Sequence, residues 1–161
     1  MSQFNLTQAS KITMFFGCYL KLFLVFLYLS ISACSQKPMK TLVTIADARV
    51  QKAHLTDSGE TGDSPGDVLT FDQPLLNISM KQIGNNSGFC IRTRVSYSFQ
   101  CQWSLLFDDG TIQVEGLEFD QGTSSLSIVG GTGIYSGISG EMKSTNNNDG
   151  TFTQALYYQL K

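Results

Sequence analysis

Several groupings of residues in this chain are of types that do chemistry. The stretch SLSIVGGTGIYSGISGE (125–141) contains Gly130-Gly131-Thr132-Gly133, with the glycine density of a phosphate-binding loop. Such a loop needs a glycine turn that opens a helix, with Lys and Ser/Thr to hold phosphate and metal. These four residues carry no lysine. Gly137 and Gly140 would each weaken a helix there by up to about 1 kcal/mol. The glycines are therefore read as backbone that bends, bulges or passes close to other backbone.

Cys90 in GFCIR (88–92) is the sharpest reactive candidate. Strand alternation would set Arg92 and Arg94 on its face. Turned inward, an arginine there would answer an anionic ligand group or a buried carboxylate; turned outward, it is simply solvated. Cys101 adds a second possibility. If residues 95–96 form a two-residue turn, Cys90 and Cys101 lie directly opposite, and a disulfide can form in an oxidising compartment. Val95-Ser96 is poor chemistry for a tight hairpin, however, and a four-residue loop would separate the two.

The remaining groupings are weaker. His54 is the only histidine and reads as surface, since triads and His-ligated metals need a well-placed imidazole. Asp108-Asp109 fits a hairpin better than calcium, because no further oxygen ligands follow at fixed spacing. No metal site is expected. Trp103, Phe152, Tyr157 and Tyr158 suit either an aromatic pocket or a packed wall. Asn77 and Asn85 begin Asn-x-Ser/Thr sequons, which matter only in a eukaryotic secreted protein.

Strands must position these groups. After residue 40 no segment keeps a 3.6-residue apolar period for three turns. Alternation dominates instead, in TLVTIADARV (41–50), VLTF (68–71), GFCIRTRV (88–95), YSFQCQWSLLF (97–107), TIQVEGLEF (111–119), SLSIVG (125–130), GEMKST (140–145) and TFTQALYYQL (151–160). Tyr97, Phe99, Cys101, Trp103, Leu105 and Phe107 repeat at strict period two, the clearest strand of the set. DDG (108–110) is a hairpin signal, and residues 57–66 form a polar, turn-rich loop. Short strands separated by Gly, Asn and Asp predict an antiparallel barrel or sandwich.

The N-terminus is different in kind. LFLVFLYLSISA (22–33) behind Lys21 is too short for a membrane span of roughly 20 apolar residues. It matches a secretory signal, with Met14 as an alternative start. Ile31-Ser32-Ala33-Cys34 resembles the bacterial lipobox, in which the cysteine is lipidated and becomes the mature terminus; the alternative is an ordinary cleaved signal and a secreted soluble protein. The expected organisation is a signal over 1–33, a tether over 34–40 and one β-domain over 41–161. Ser35 beside Cys34 favours an outer-membrane location, facing periplasm or surface, in a double-membraned bacterium. The net charge of −2 falls to −4 when Lys11 and Lys21 leave with the signal, which gives no basic field for nucleic acid.

Four segments, GDVLTFDQPL (66–75), GFCIR (88–92), FDDGTIQVEG (107–116) and SIVGGTGIYSGISGE (127–141), resemble in order and spacing the allene oxide cyclase barrel superfamily, which includes the dirigent proteins. The Gly-Gly-Thr-Gly-x-Tyr segment is the most specific. The resemblance covers about residues 66–160. It implies a closed eight-stranded antiparallel β-barrel with a ligand-sized apolar interior, often trimeric, and no cofactor. It also implies cavity positions at Phe71, Gln73, Cys90 and Glu118. Gln73 stands where the cyclases carry asparagine, Glu118 where they carry tyrosine, and Asp47 is only the nearest acid to their first-strand glutamate. The dirigent acidic pair survives in part as Asp72, before Gln73-Pro74, and their arginine is replaced by Ser136. These departures argue against true allene oxide cyclase chemistry and leave dirigent coupling only partly supported.

The resulting expectation is a membrane-tethered barrel that binds a hydrophobic small molecule and guides a reactive intermediate without cofactor, with Phe71, Gln73, Cys90, Arg92 and Glu118 as cavity contacts. The alternative is a structural or interaction lipoprotein with a side-chain-filled interior. An enclosed apolar space of about 300 Å³ or more would favour the first.

Overall fold

Inward–outward alternation carries most of residues 37–161, the part described by the computed structural model, into β-strands. The segments expected to be a signal and a lipobox, with Cys34, lie outside the described residues. The strands are β1 (Lys40–Asp47), β2 (His54–Thr56), β3 (Val68–Leu76), β4 (Gln82–Arg94), β5 (Ser98–Phe107), β6 (Gly110–Phe119), β7 (Thr123–Gly131), β8 (Ile138–Asn146) and β9 (Thr151–Leu160). They hydrogen-bond in the order β1-β9-β8-β7-β6-β5-β4-β3, and β3 returns to β1. The result is a closed eight-stranded antiparallel barrel, with β2 as a short extra strand on the outer part of β3.

The closing seam is its weakest join. β1 meets β3 only at Ile45↔Leu76 and Ala46↔Leu75. β1 then ends, and β2 takes over the β3 edge at Val68–Thr70. Between the two pairings β3 runs unpartnered on that side through Phe71–Pro74. Pro74, which has no N–H to lose, is tolerated on such an edge. The sequence reading ran the first strand to Val50 and stopped the second at Phe71; β-propensity continues through both points, and pairing decides where the strands end.

The β4–β5 hairpin takes neither of the two expected turns. Its loop is the three residues Val95–Tyr97, closed by Tyr97 N–H to the Arg94 carbonyl at 3.2 Å, with Ser96 left-handed at φ 51°. A bulge at Thr93 absorbs the odd residue, so Cys90↔Cys101 pair directly. Tyr97 consequently leaves the strand and stacks edge-on against Phe119 from the outside.

The glycine-rich stretch opens no α-helix. It ends β7 and makes one 3-10 turn, Gly133–Tyr135. Gly133 sits at φ 59°, and a Cβ there would collide with the Asp109 carbonyl. The segment bends because it lies on the backbone of the β5–β6 turn.

The interior is divided in two. Toward the end where β1 begins, Leu75, Leu105, Ile112, Val114, Met142 and Leu156 are wholly buried and fill the barrel. A polar layer lies above them. Thr44 Oγ1 donates to Gln154 Oε1 at 3.1 Å. Gln154 Nε2 reaches across to Asn86 Oδ1 at 3.5 Å, and Gln73 pairs with Asn86 in the β3–β4 ladder. Beyond this layer the barrel is hollow.

Candidate functional site

The hollow end is a partly open cavity of about 220 Å³. It is smaller than the roughly 300 Å³ expected for a drug-sized ligand. It exceeds the roughly 150 Å³ apolar hole that accepts one benzene ring. Its sides are Leu69 and Phe71 from β3, Cys90 from β4, Trp103 from β5 and Phe152 from β9; Gln73 and Asn86 form the floor. Ala48 and Ala53, on the connector between β1 and β2, cover the split seam. The cavity therefore exists where β1 turns away and small side chains replace it.

Trp103 owes its position to Gly88 opposite it. A Cβ at residue 88 would press into both the Cβ and the backbone of Trp103. The indole lies edge-on to Phe71, with ring centroids 6.0 Å apart. Its Nε1–H is buried and has no partner among the described residues. A buried indole N–H normally finds one.

Glu118 enters from β6 beside Ser144 of β8. The Ser144 hydroxyl donates to its Oε1 at 2.8 Å, whereas Oε2 is buried with no partner among the described residues. Burial raises its pKa to about 7, outweighing hydrogen bonds from the Ser144 and Ser124 hydroxyls. A carboxyl balanced near neutrality in an apolar pocket can give or take a proton.

Phe71, Gln73, Cys90 and Glu118 thus share one cavity, and Arg92 does not. Its guanidinium lies over the Phe99 ring at 3.6 Å and is ion-paired with Asp63 and Asp120. It ties the 57–67 loop to the β6–β7 turn at the rim. Alternation cannot show that these two loop carboxylates hold the guanidinium away from the cavity. Arg94 is exposed, over Tyr97. Cys90 and Cys101 form a disulfide, S–S 2.02 Å, so the Cys90 on the wall is a half-cystine and not a thiol. Asp47 is held by Arg49 at 2.8 Å and lies outside the cavity. Of the four aromatics, Trp103 and Phe152 line it, Tyr158 packs in the filled half, and Tyr157 is exposed.

Asn86 and Ser144 escaped the sequence reading. Asn86 is two pairs of residues before Cys90, so the alternation of β4 would have found it had the strand been started at Gln82. Ser144 is two residues after buried Met142 on β8.

Residues 46–156 match the family model for the allene oxide cyclase barrel like domain. The chain belongs to this family. Among solved structures, this allene oxide cyclase-like barrel is similar to a pyocyanin demethylase (25% identity, TM-score 0.63, covering 76% of this chain and 100% of that one). It is also similar to a pterocarpan synthase dirigent protein (17%, 0.63, covering 78% and 99%). A third likeness is to the Diels Alderase AbmU from Streptomyces koyangensis (16%, 0.61, covering 76% and 64%). Comparison with curated proteins finds no match.

Proposed function

We propose that the barrel admits a hydrophobic small molecule through its hollow end and holds it against Glu118, steering cyclisation or coupling by confinement and proton transfer. The observation that carries this reading is the Glu118 carboxyl: buried on an aromatic wall, anchored through one oxygen by Ser144, with the other oxygen unpartnered among the described residues. Confinement holds the reacting groups in one productive geometry. An acid with pKa near 7 adds general acid–base catalysis at neutral pH. Similarity to barrels named as a Diels Alderase and a dirigent synthase supports this class of chemistry.

A second reading, an interaction protein with no ligand, draws support from the filled lower half and the modest cavity. Native mass spectrometry before and after organic extraction separates the two. Ligand binding predicts an adduct lost on extraction and regained on adding naphthalene. The interaction reading predicts one unchanged mass throughout.

Lipidation at Cys34 and an outer-membrane address belong to the same proposal. Radiolabelled palmitate incorporated by the native chain and absent from Cys34→Ser would support the anchor; equal labelling of both would refute it.

A further inference from the structure

The wall of the cavity has one formal charge and three aromatic rings. Glu118 is its only ionisable carboxylate, and no Lys, Arg or His is among the described residues that line it. Arg92, in the same row of the sheet on the far side of Phe99, is already shared between Asp63 and Asp120. The groups packed around the Glu118 carboxyl are the Ser124 and Ser144 hydroxyls and, opposite on β5, Phe99. None can neutralise it. An ionised carboxylate buried among apolar groups is costly until a cation joins it. Phe71, Trp103 and Phe152 supply ring faces of the kind that attract cations. An anionic ligand, a fatty carboxylate for example, would meet the acid with no compensating base.

Resting on the ligand-binding reading above, we propose that the ligand is a flat aromatic cation of about two rings, or a weak base that binds as one, with its charged nitrogen against Glu118 Oε2. The size follows from a space larger than a one-ring hole and smaller than a drug-sized site. Charge selection then comes from the single carboxylate, and shape selection from the aromatic walls. A ring nitrogen that accepts the Glu118 proton forms the same pair from the opposite direction: the N–H bond forms as the carboxyl O–H breaks, and no other reactant is needed.

The test uses four probes of matched shape on the purified protein at pH 8: naphthalene, quinoline, N-methylquinolinium and 1-naphthoate. Binding is read from the Trp103 indole N–H resonance, which places each probe in the cavity. N-methylquinolinium should bind at least tenfold more tightly than naphthalene, quinoline should fall between them, and 1-naphthoate should be weakest. Glu118→Gln should remove the preference, so that N-methylquinolinium and naphthalene bind equally well to the variant. Naphthalene binding as well as the cation would overturn the charge assignment and leave the hydrophobic-ligand reading intact. Retention of the preference by Glu118→Gln would likewise overturn it, even if the ranking in the native protein is as stated. Failure of all four probes to move Trp103 would remove both.

Discussion

Gly88 stands directly opposite Trp103 in the β4–β5 ladder, and the side chain that Gly88 lacks is the space Trp103 occupies. The atoms in the way are the Cβ and backbone of Trp103 and the Gln102 carbonyl, none of which can rotate aside. Gly88→Ala should therefore cost about 1–3 kcal/mol, as overpacking against fixed backbone does. Chemical denaturation measures this directly. A loss under 0.5 kcal/mol, with the indole unmoved, would show the contact to be slack.

Glu118 links the cavity to stability. Its carboxyl is protonated more readily in the folded chain, with pKa about 7 against an ordinary 4.5. Folding therefore favours the neutral acid. Stability from this group is greatest below about pH 4.5, declines as pH rises through 4.5–7, and is level above 7. The span corresponds to about 3 kcal/mol. Glu118→Gln should match the native protein at pH 4 and exceed it by up to about 3 kcal/mol at pH 8, read from urea midpoints. Equal midpoints at both pH values would mean the carboxyl is well solvated.

The Cys90–Cys101 disulfide closes a short loop, with a sequence separation of 11. Cross-links over loops of this size stabilise by about 2–3 kcal/mol. Reduction should add two mass units and lower the denaturation midpoint accordingly. Ellman's reagent should detect the Cys90 and Cys101 thiols only after reduction; their reaction in the native, unreduced protein would contradict the pairing.

Asp67 organises the 57–67 loop. Its carboxylate accepts the N–H groups of Ser58 and Ser64 and the Ser64 hydroxyl, and these bonds hold its pKa below the usual 3.8. The stabilisation is present above pH 3.8 and is lost as pH falls through the lowered value. Asp67→Asn, which keeps the shape and loses the charge, should make this loop the first site of limited proteolysis at pH 7. An unchanged cleavage pattern would show that the loop is held from elsewhere, for example by Arg92 on Asp63.

The barrel was legible because period-two alternation survives in β5, β6, β7 and β9, and because the Gly-Gly-Thr-Gly-x-Tyr segment resembles a specific family. Phe71, Gln73, Cys90 and Glu118 came from that resemblance and share one cavity. Arg92 was misplaced because alternation reports the face of a strand and not the partners that long-range folding brings to it, here Asp63 and Asp120. The polar floor was harder to see: Asn85-Asn86-Ser87 looks like turn chemistry, and only pairing with Gln73 on one side and Leu105 on the other makes it strand. The split seam was not legible at all. It depends on where β1 parts from β3, a long-range pairing event that residues 41–50 alone do not encode.

The most direct measurement exploits the single tryptophan of the chain. Its indole N–H lies on the cavity wall with no partner among the described residues and should give one proton–nitrogen resonance. Titration with naphthalene should shift that resonance saturably, with backbone changes confined to Leu69, Phe71, Cys90, Glu118 and Phe152. An indole resonance unmoved up to the solubility limit of naphthalene would contradict the account of this barrel as a ligand-binding one.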